Sequence, residues 1–390
     1  MPYYRKVGEI PRKRHQQFPQ TGGGLYAEEL MGSDGFSSES ALLYHRHAPT
    51  ALVKVEGVPD PPGRKRLQGN EPLLPRHLRT HDIEPAGDLV TGRHLLLGND
   101  DVRISYAAAS EPSELHRNAF GDECVFVEEG SARFESVFGV IDAVAGDYVV
   151  VPKATTYRWV PAAGSTVRTL VIEAAGHLQP PGRYFSPRGQ LLEHAPFSER
   201  DLRGPEHPFL CEGEEVAVTV SHRGGTTRYT YAHHPFDVVG WDGCWYPYAL
   251  SIHDFEPIVK RFHAPPPVHQ TFEGPGFVVC SFCPRPFDFD PSAVAVSYNH
   301  ANTDADEVLF YVGGDFMSRK GSGIGLGSIS LHPAGFVHGP QPGSAEASLG
   351  QPATDEWAVM VDTFRPLELG TEAIAIEDTG YAWSWTRDHA

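Results

Sequence analysis

Two histidines and a glutamate are spaced so that they can meet at one point. His300 is followed seven residues later by Glu307, and a run containing Gly327, Pro333, Ala334 and Gly335 leads to His338. If Glu307 opens a short strand, Glu307, Leu309 and Tyr311 share one face, and that face would point into a small barrel. A carboxylate there is costly unless it is paired or binds a metal. A histidine from the preceding strand end and another from a later hairpin can converge on it. Gly327 and Gly335 permit the tight turns this needs, and Pro333 restrains the strand entry. Two imidazoles and a carboxylate make a facial triad with three open positions, the ligand set of non-haem Fe(II) oxygen chemistry. His300, Glu307 and His338 are therefore the expected metal ligands, with Fe(II) as cofactor; Mn(II) takes the same ligands.

The spacing occurs twice. His116 and Glu123 are also seven apart, each 184 residues before its counterpart. Gly146 and Pro152 precede Gly327 and Pro333 by 181, and the position of His338 is taken by Tyr157. For a single copy, a chance pairing of His and Glu on neighbouring strands is an equal alternative; a fixed-period repeat weighs against it. Tyr157 cannot act as a neutral imidazole ligand, so the first site is expected to hold no metal and to be structural.

The elements that must position these residues are β-strands. Cys124–Val127, Tyr148–Val151 and Arg168–Ile172 are short apolar runs, and residues 216–231 resemble a hairpin around Arg223-Gly224-Gly225. Such spacing, with frequent Gly and Pro, predicts a mainly β chain of the sandwich or barrel kind. Residues 1–95 are expected to form an irregular arm, 96–176 a first barrel half, 177–215 a Pro-rich linker and 216–390 a second half. The chain has 390 residues and a net charge of −18. That acidity argues against binding nucleic acid or anionic lipid. No apolar run of 18 residues exists to span a membrane, and the first residues lack the apolar segment of a signal peptide. Five scattered cysteines read as reduced thiols, which places the chain in the cytoplasm.

The duplicated pattern resembles the two-part signature of the cupin superfamily, so the expected architecture is a bicupin: two jelly-roll barrel halves, the second carrying the metal. Three further stretches are similar to homogentisate 1,2-dioxygenases. They are Gly24–Leu30 with Leu43–Arg46, Phe236–Trp241 with Tyr246-Pro247-Tyr248, and Ser330-Leu331-His332-Pro333 leading to His338-Gly339-Pro340. The resemblance implies an Fe(II) enzyme that opens homogentisate with O2 to give maleylacetoacetate in tyrosine and phenylalanine catabolism, assembled as a trimer or hexamer. It makes His263, in Phe262-His263-Ala264-Pro265, the acid/base, with His269 competing for the role. Tyr298 and Phe316 become substrate-lining residues, and His332 either lines the substrate or supports a metal ligand from behind.

Two positions depart from the family pattern. The first ligand is followed by Ala301 where the family has Arg, and Phe316 stands where it has a Tyr that helps hold the substrate. An aromatic acid needs donors to offset the desolvation of its carboxylate. The same chemistry on another hydroquinone-type acid, such as gentisate, is therefore an alternative, and a non-catalytic ligand-binding bicupin is a further one. Other features have plainer readings. Cys280 and Cys283 have no second pair to complete a zinc site, the Gly321–Gly327 run lacks a phosphate-loop ending, and Arg5, Arg12, Lys13 and Arg14 read as a surface or subunit contact. His45, His47, His233 and His234 show no carboxylate at ligand spacing and read as surface residues or as supports behind a site.

Overall fold

The computed structural model describes residues 3–60 and 67–386. Strands dominate it; the two α-helices among the described residues, Ser344–Ala347 and Thr371–Ala375, are barely a turn long. Two barrels stand side by side.

The first is closed by two sheets. One contains Val102–Ala109, Glu123–Glu129, Asp147–Val151 and Val167–Ala174; the other contains His116–Asn118, Ser131–Ser136, Gly139–Val144 and Thr156–Pro161. Their alternate residues separate cleanly. Val125, Val127, Val149, Val151 and Val171 meet Phe134, Ile141, Tyr157 and Trp159 inside the barrel. Cys124, Phe126, Val150, Leu170 and Ile172 face outward and pack on Val308, Phe310, Ile329, Leu331, Val359 and Val361 of the second barrel. Strands buried on both faces explain why they read as continuous apolar runs.

The second barrel is built on a six-stranded antiparallel sheet. It runs Gln270–Gly274, Phe277–Phe282, Trp357–Thr363, Asp306–Gly313, Ser328–His332 and Arg76–Arg79. Its inner side carries Leu309, Tyr311 and Met360, as the alternation beginning at Glu307 requires. The opposite wall is slight: Arg285–Pro286 pairs with Ala353–Thr354, and His300 bridges to His338 through reciprocal N–H to C=O bonds of 2.8 Å.

The repeat survives as strand register. His116 pairs with Tyr157 as His300 does with His338. Glu123 lies opposite Val151 and Glu173, and Glu307 lies opposite His332 and Asp362. Gly146 and Gly327, and in the second copy Gly335, have positive φ, a conformation that favours glycine. A further correspondence escaped the sequence reading. Asp122 accepts the Lys153 N–H at 2.7 Å, and Asp306 accepts that of Ala334 at 2.8 Å, each bond locking the later hairpin to the strand that carries the glutamate.

The halves interlock more than the linear reading allowed. Arg76–Arg79, expected in the arm, forms the edge of the second barrel's sheet against Ser328–His332. The strand Glu368–Gly370 joins His94–Gly98 in the first barrel's sheet. The hairpin Glu214–His222 and Gly225–His233, expected in the second half, runs beside His116–Asn118, and Tyr248–Ser251 pairs with Asp147–Val151. Within the arm, Ala27–Gly32 and Ser40–His45 form a regular four-stranded sheet with Val238–Gly243 and Arg5–Gly8. Periodicity shows that a segment is extended but says nothing about which edge accepts it.

Candidate metal centre

Glu307 enters the barrel from the central strand, His300 from the strand end before it and His338 from the hairpin after it. One ligand atom from each lies within 4.8 Å of the others. His300 Nε2 is 3.5 Å and His338 Nε2 3.3 Å from the Glu307 oxygens. His338 is held by an Nδ1–H bond of 3.0 Å to the Phe336 carbonyl, which leaves Nε2 as a bare acceptor. That nitrogen is buried and makes no hydrogen bond. A lone pair turned toward a carboxylate at ion-pair distance is repulsive unless a cation lies between them. The donor set, two imidazole nitrogens and a carboxylate, fits a divalent transition metal. Burial pushes the Glu307 carboxyl up, but the surrounding histidines outweigh it and hold the group well below the usual carboxylate range.

The triad opens onto a cleft of about 250 Å³. His263, His269 and Tyr298 line it. The exposed His263 is hydrogen-bonded through Nε2 to the Tyr298 hydroxyl, 2.7 Å away, and the Tyr298 ring meets His300 edge-on at 5.5 Å. His269 is buried and stacked on Phe282, its rings 4.7 Å apart. Burial, helped by Arg285, lowers it to about 3, so it is neutral at working pH.

The Phe316 expectation is corrected, and His332 takes the supporting of its two expected roles. Phe316 turns from the cleft and packs edge-on against Tyr311 at 5.0 Å, beneath the surface loop of the Gly321–Gly327 run. His332 alternates with the outward Leu331, but its ring lies entirely buried under Glu307. Its Nδ1 is 2.9 Å from Glu307 Oε1, and its ring stacks on His338 at 4.0 Å. It supports a ligand and does not touch the cleft. The histidine reading is corrected as well: His45 is buried between Asp237, at 2.6 Å, and Glu29, at 2.9 Å, and His47 also bonds to Asp237. Those carboxylates are too remote in sequence for spacing to reveal them. Arg14, read as a surface cation, pairs with Asp242. The five cysteines are free.

Several cleft residues were invisible to motif reasoning. Arg285 and Arg319 line it, and neither has an ion-pair partner among the described residues. Arg319 is buried, donating from Nε to the Tyr311 hydroxyl and from Nη1 to the Gly339 carbonyl. Glu356 faces both arginines; burial drives its carboxyl up more than they draw it down. Asp362, across the strand from Glu307, is pushed up to about 7 by burial and by that neighbouring charge.

In the first barrel the same frame is closed by protein groups. The glutamate is again central, but Arg93 reaches it from the arm, 2.5 Å from Glu123 Oε1. The Tyr157 hydroxyl donates to the other oxygen at 2.5 Å, and Asn118 donates at 3.2 Å. A guanidinium stands where the second barrel would take a cation. Nothing local in the sequence marks Arg93 for this role.

A family model described as the homogentisate 1,2-dioxygenase N-terminal region matches residues 6–252. A Saccharolobus solfataricus protein with a provisional dioxygenase name is 38% identical over 99% of both chains. The homogentisate 1,2-dioxygenase of Emericella nidulans is 24% identical, covering 81% of this chain and 75% of its own. A cupin 2 conserved barrel domain protein of Leptotrichia buccalis superposes over 77% of this chain and 99% of its own with a TM-score of 0.31 and 9% identity; the bicupin fold rests on the strand pairing described above, not on that likeness. By the matched region and the full-length relative, the chain belongs to the homogentisate 1,2-dioxygenase family of enzymes.

Proposed function

We propose that this protein is an Fe(II)-dependent ring-cleaving dioxygenase that inserts both atoms of O2 into homogentisate to give maleylacetoacetate. The observation that carries the reading is the convergence of His300, Glu307 and the bare Nε2 of His338, with His300 and Glu307 lining a cleft large enough for a single substituted ring. When bound there, Fe(II) would supply Lewis acidity toward a ring hydroxyl and the electrons for dioxygen activation.

The chain's own residues do the rest. Arg319 and Arg285 are the cations available to a ring acid, because both line the cleft and neither has an ion-pair partner among the described residues. A carboxylate held by a guanidinium gains charge-assisted hydrogen bonds that offset its desolvation. His263 is the base: its Nε2 meets a phenolic hydroxyl, that of Tyr298, at 2.7 Å, so a substrate hydroxyl can be met at the same atom. His269, neutral and stacked on Phe282, walls the cleft without exchanging a proton. Phe282, Leu309 and Met360 supply apolar surface for the ring and exclude water.

A second reading, the same reaction on another hydroquinone-type acid, is favoured by one observation. Neither Phe316 nor Ala301 offers a donor in the cleft, while Arg285 and Arg319 place their charge elsewhere on its wall. Oxygen uptake by the Fe(II)-loaded protein with homogentisate and gentisate side by side tests both. Uptake with homogentisate and a ring-opened product, lost in His338→Ala, supports the first reading; uptake with gentisate alone supports the second. Absence of uptake with either, despite one bound iron per chain, would refute homogentisate and gentisate as substrates and favour a ligand-binding bicupin. Cytoplasmic residence and a trimeric or hexameric assembly belong to the same proposal.

A further inference from the structure

The 3-10 turn Tyr381–Thr386 begins more than forty residues beyond the last ligand, His338, yet it touches the ligand-bearing hairpin at three places. The Tyr381 hydroxyl is 2.9 Å from His332 Nε2. Ser384 accepts a hydrogen bond from the Gln341 amide at 2.9 Å, and the Trp385 indole donates to the Gly339 carbonyl at 3.2 Å. Arg319 donates to that same carbonyl, so the backbone next to His338 is held from two sides. The rings of Tyr381 and Trp385 also meet edge-on at 5.2 Å, which ties the contacts into one unit.

The direction of the hydrogen bonds is determined. Glu307 Oε1 can only accept, so His332 must donate to it from Nδ1 at 2.9 Å. His332 is fully buried, between His338, Tyr381 and Glu307. Its Nε2 then carries the lone pair, and Tyr381 must donate the hydroxyl hydrogen. The three groups form a closed chain from Tyr381 through His332 to Glu307. The first barrel has no equivalent: Val151 occupies the position of His332, and its glutamate is bound by Arg93 instead.

We propose that Tyr381 is a positioning residue of the metal centre, fixing the His332 tautomer that aims Glu307 at the metal, so that the Tyr381–Thr386 turn is part of the site. The inference rests on the reading of His300, Glu307 and His338 as ligands. It concerns orientation, since Tyr381 does not line the cleft. Groups that orient a metal ligand through a hydrogen bond typically control about 10- to 100-fold in metal affinity.

The test uses the full chain and Co(II) as the probe, read by its ligand-field spectrum and by competition with a chelator. Wild type is expected to bind one Co(II) per chain, with binding abolished in His338→Ala. Tyr381→Phe keeps the ring and loses the hydroxyl; it should bind about 10- to 100-fold more weakly, with a shifted spectrum. His332→Gln should weaken binding at least as much, and the double variant should be no worse than His332→Gln alone, because both changes break one chain of bonds. Trp383→Ala alters an exposed residue of the same turn and should leave binding as in wild type. Wild-type affinity and spectrum in Tyr381→Phe, or additive losses in the double variant, would overturn the inference while leaving the ligand assignment intact. A wild-type chain that binds no Co(II) would overturn both.

Discussion

Replacing Arg93 with methionine tests how the first barrel does without a metal. Glu123 is completely buried, and its oxygens are occupied by Arg93, Tyr157 and Asn118. Burial alone would push its carboxyl up; Arg93, together with His116, holds it below the ordinary range instead. Methionine fills most of the guanidinium's volume and removes its charge, so the loss measures the pair. Breaking a buried ion pair from one side costs about 3–5 kcal/mol. Urea denaturation at pH 7, followed by near-ultraviolet circular dichroism, reads this as a lower midpoint at unchanged slope.

The pH dependence carries a second signature. A carboxyl lowered in the folded state stabilises above its unfolded value, near 4.5, and that stability is lost as the pH falls through the folded value. In Arg93→Met the carboxyl rises, because burial is then opposed only by His116, Tyr157 and Asn118. The variant's deficit should therefore shrink as the pH drops from 7 toward 4.5, since protonated Glu123 no longer carries a bare charge. Adding Glu123→Gln to Arg93→Met should recover much of the loss at pH 7 by removing the uncompensated charge. A single-variant loss below about 1 kcal/mol, the scale of an exposed pair, or a deficit independent of pH, would refute the account of Arg93 as the substitute for a metal.

Three shorter predictions concern the second barrel. His263→Ala should lower turnover about 10²- to 10⁴-fold, the usual worth of a positioned base, whereas His269→Phe should leave turnover within a few-fold; the reverse ranking in steady-state oxygen uptake would reassign the base. His269 is lowered to about 3 in the folded chain, so wild type should lose up to about 1.4 kcal/mol per pH unit as the pH falls below 6.5, when only the unfolded chain takes up the proton; His269→Phe should flatten that part of the stability profile. Arg285→Met should raise KM for an aromatic acid at least tenfold with a smaller change in kcat, and an unchanged KM would remove this arginine from substrate binding.

The convergence of His300, Glu307 and His338 was legible in the sequence because its parts are local. A strand period of two, two turns needing glycine and a proline at the strand entry dictate where Glu307 and His338 can point, and a second copy 181–184 residues earlier made the pattern more than coincidence. The β class, the alternation of Glu307, Leu309 and Tyr311 and the loss of the third ligand to Tyr157 follow from residue types alone. Everything joined across long separations had to wait for the fold. Arg93 reaches Glu123 only because the arm passes that end of the barrel. Tyr381 reaches His332 only because the Tyr381–Thr386 turn lies on the ligand hairpin, and Arg76–Arg79 is the edge of a sheet whose other strands lie almost two hundred residues or more away. His332 and Phe316 show the limit most directly. A motif places a residue near a site, but which way its ring turns depends on the packing of several strands at once. Buried charges find partners by proximity in space, and an unpaired charge costs the same however far along the chain its partner lies.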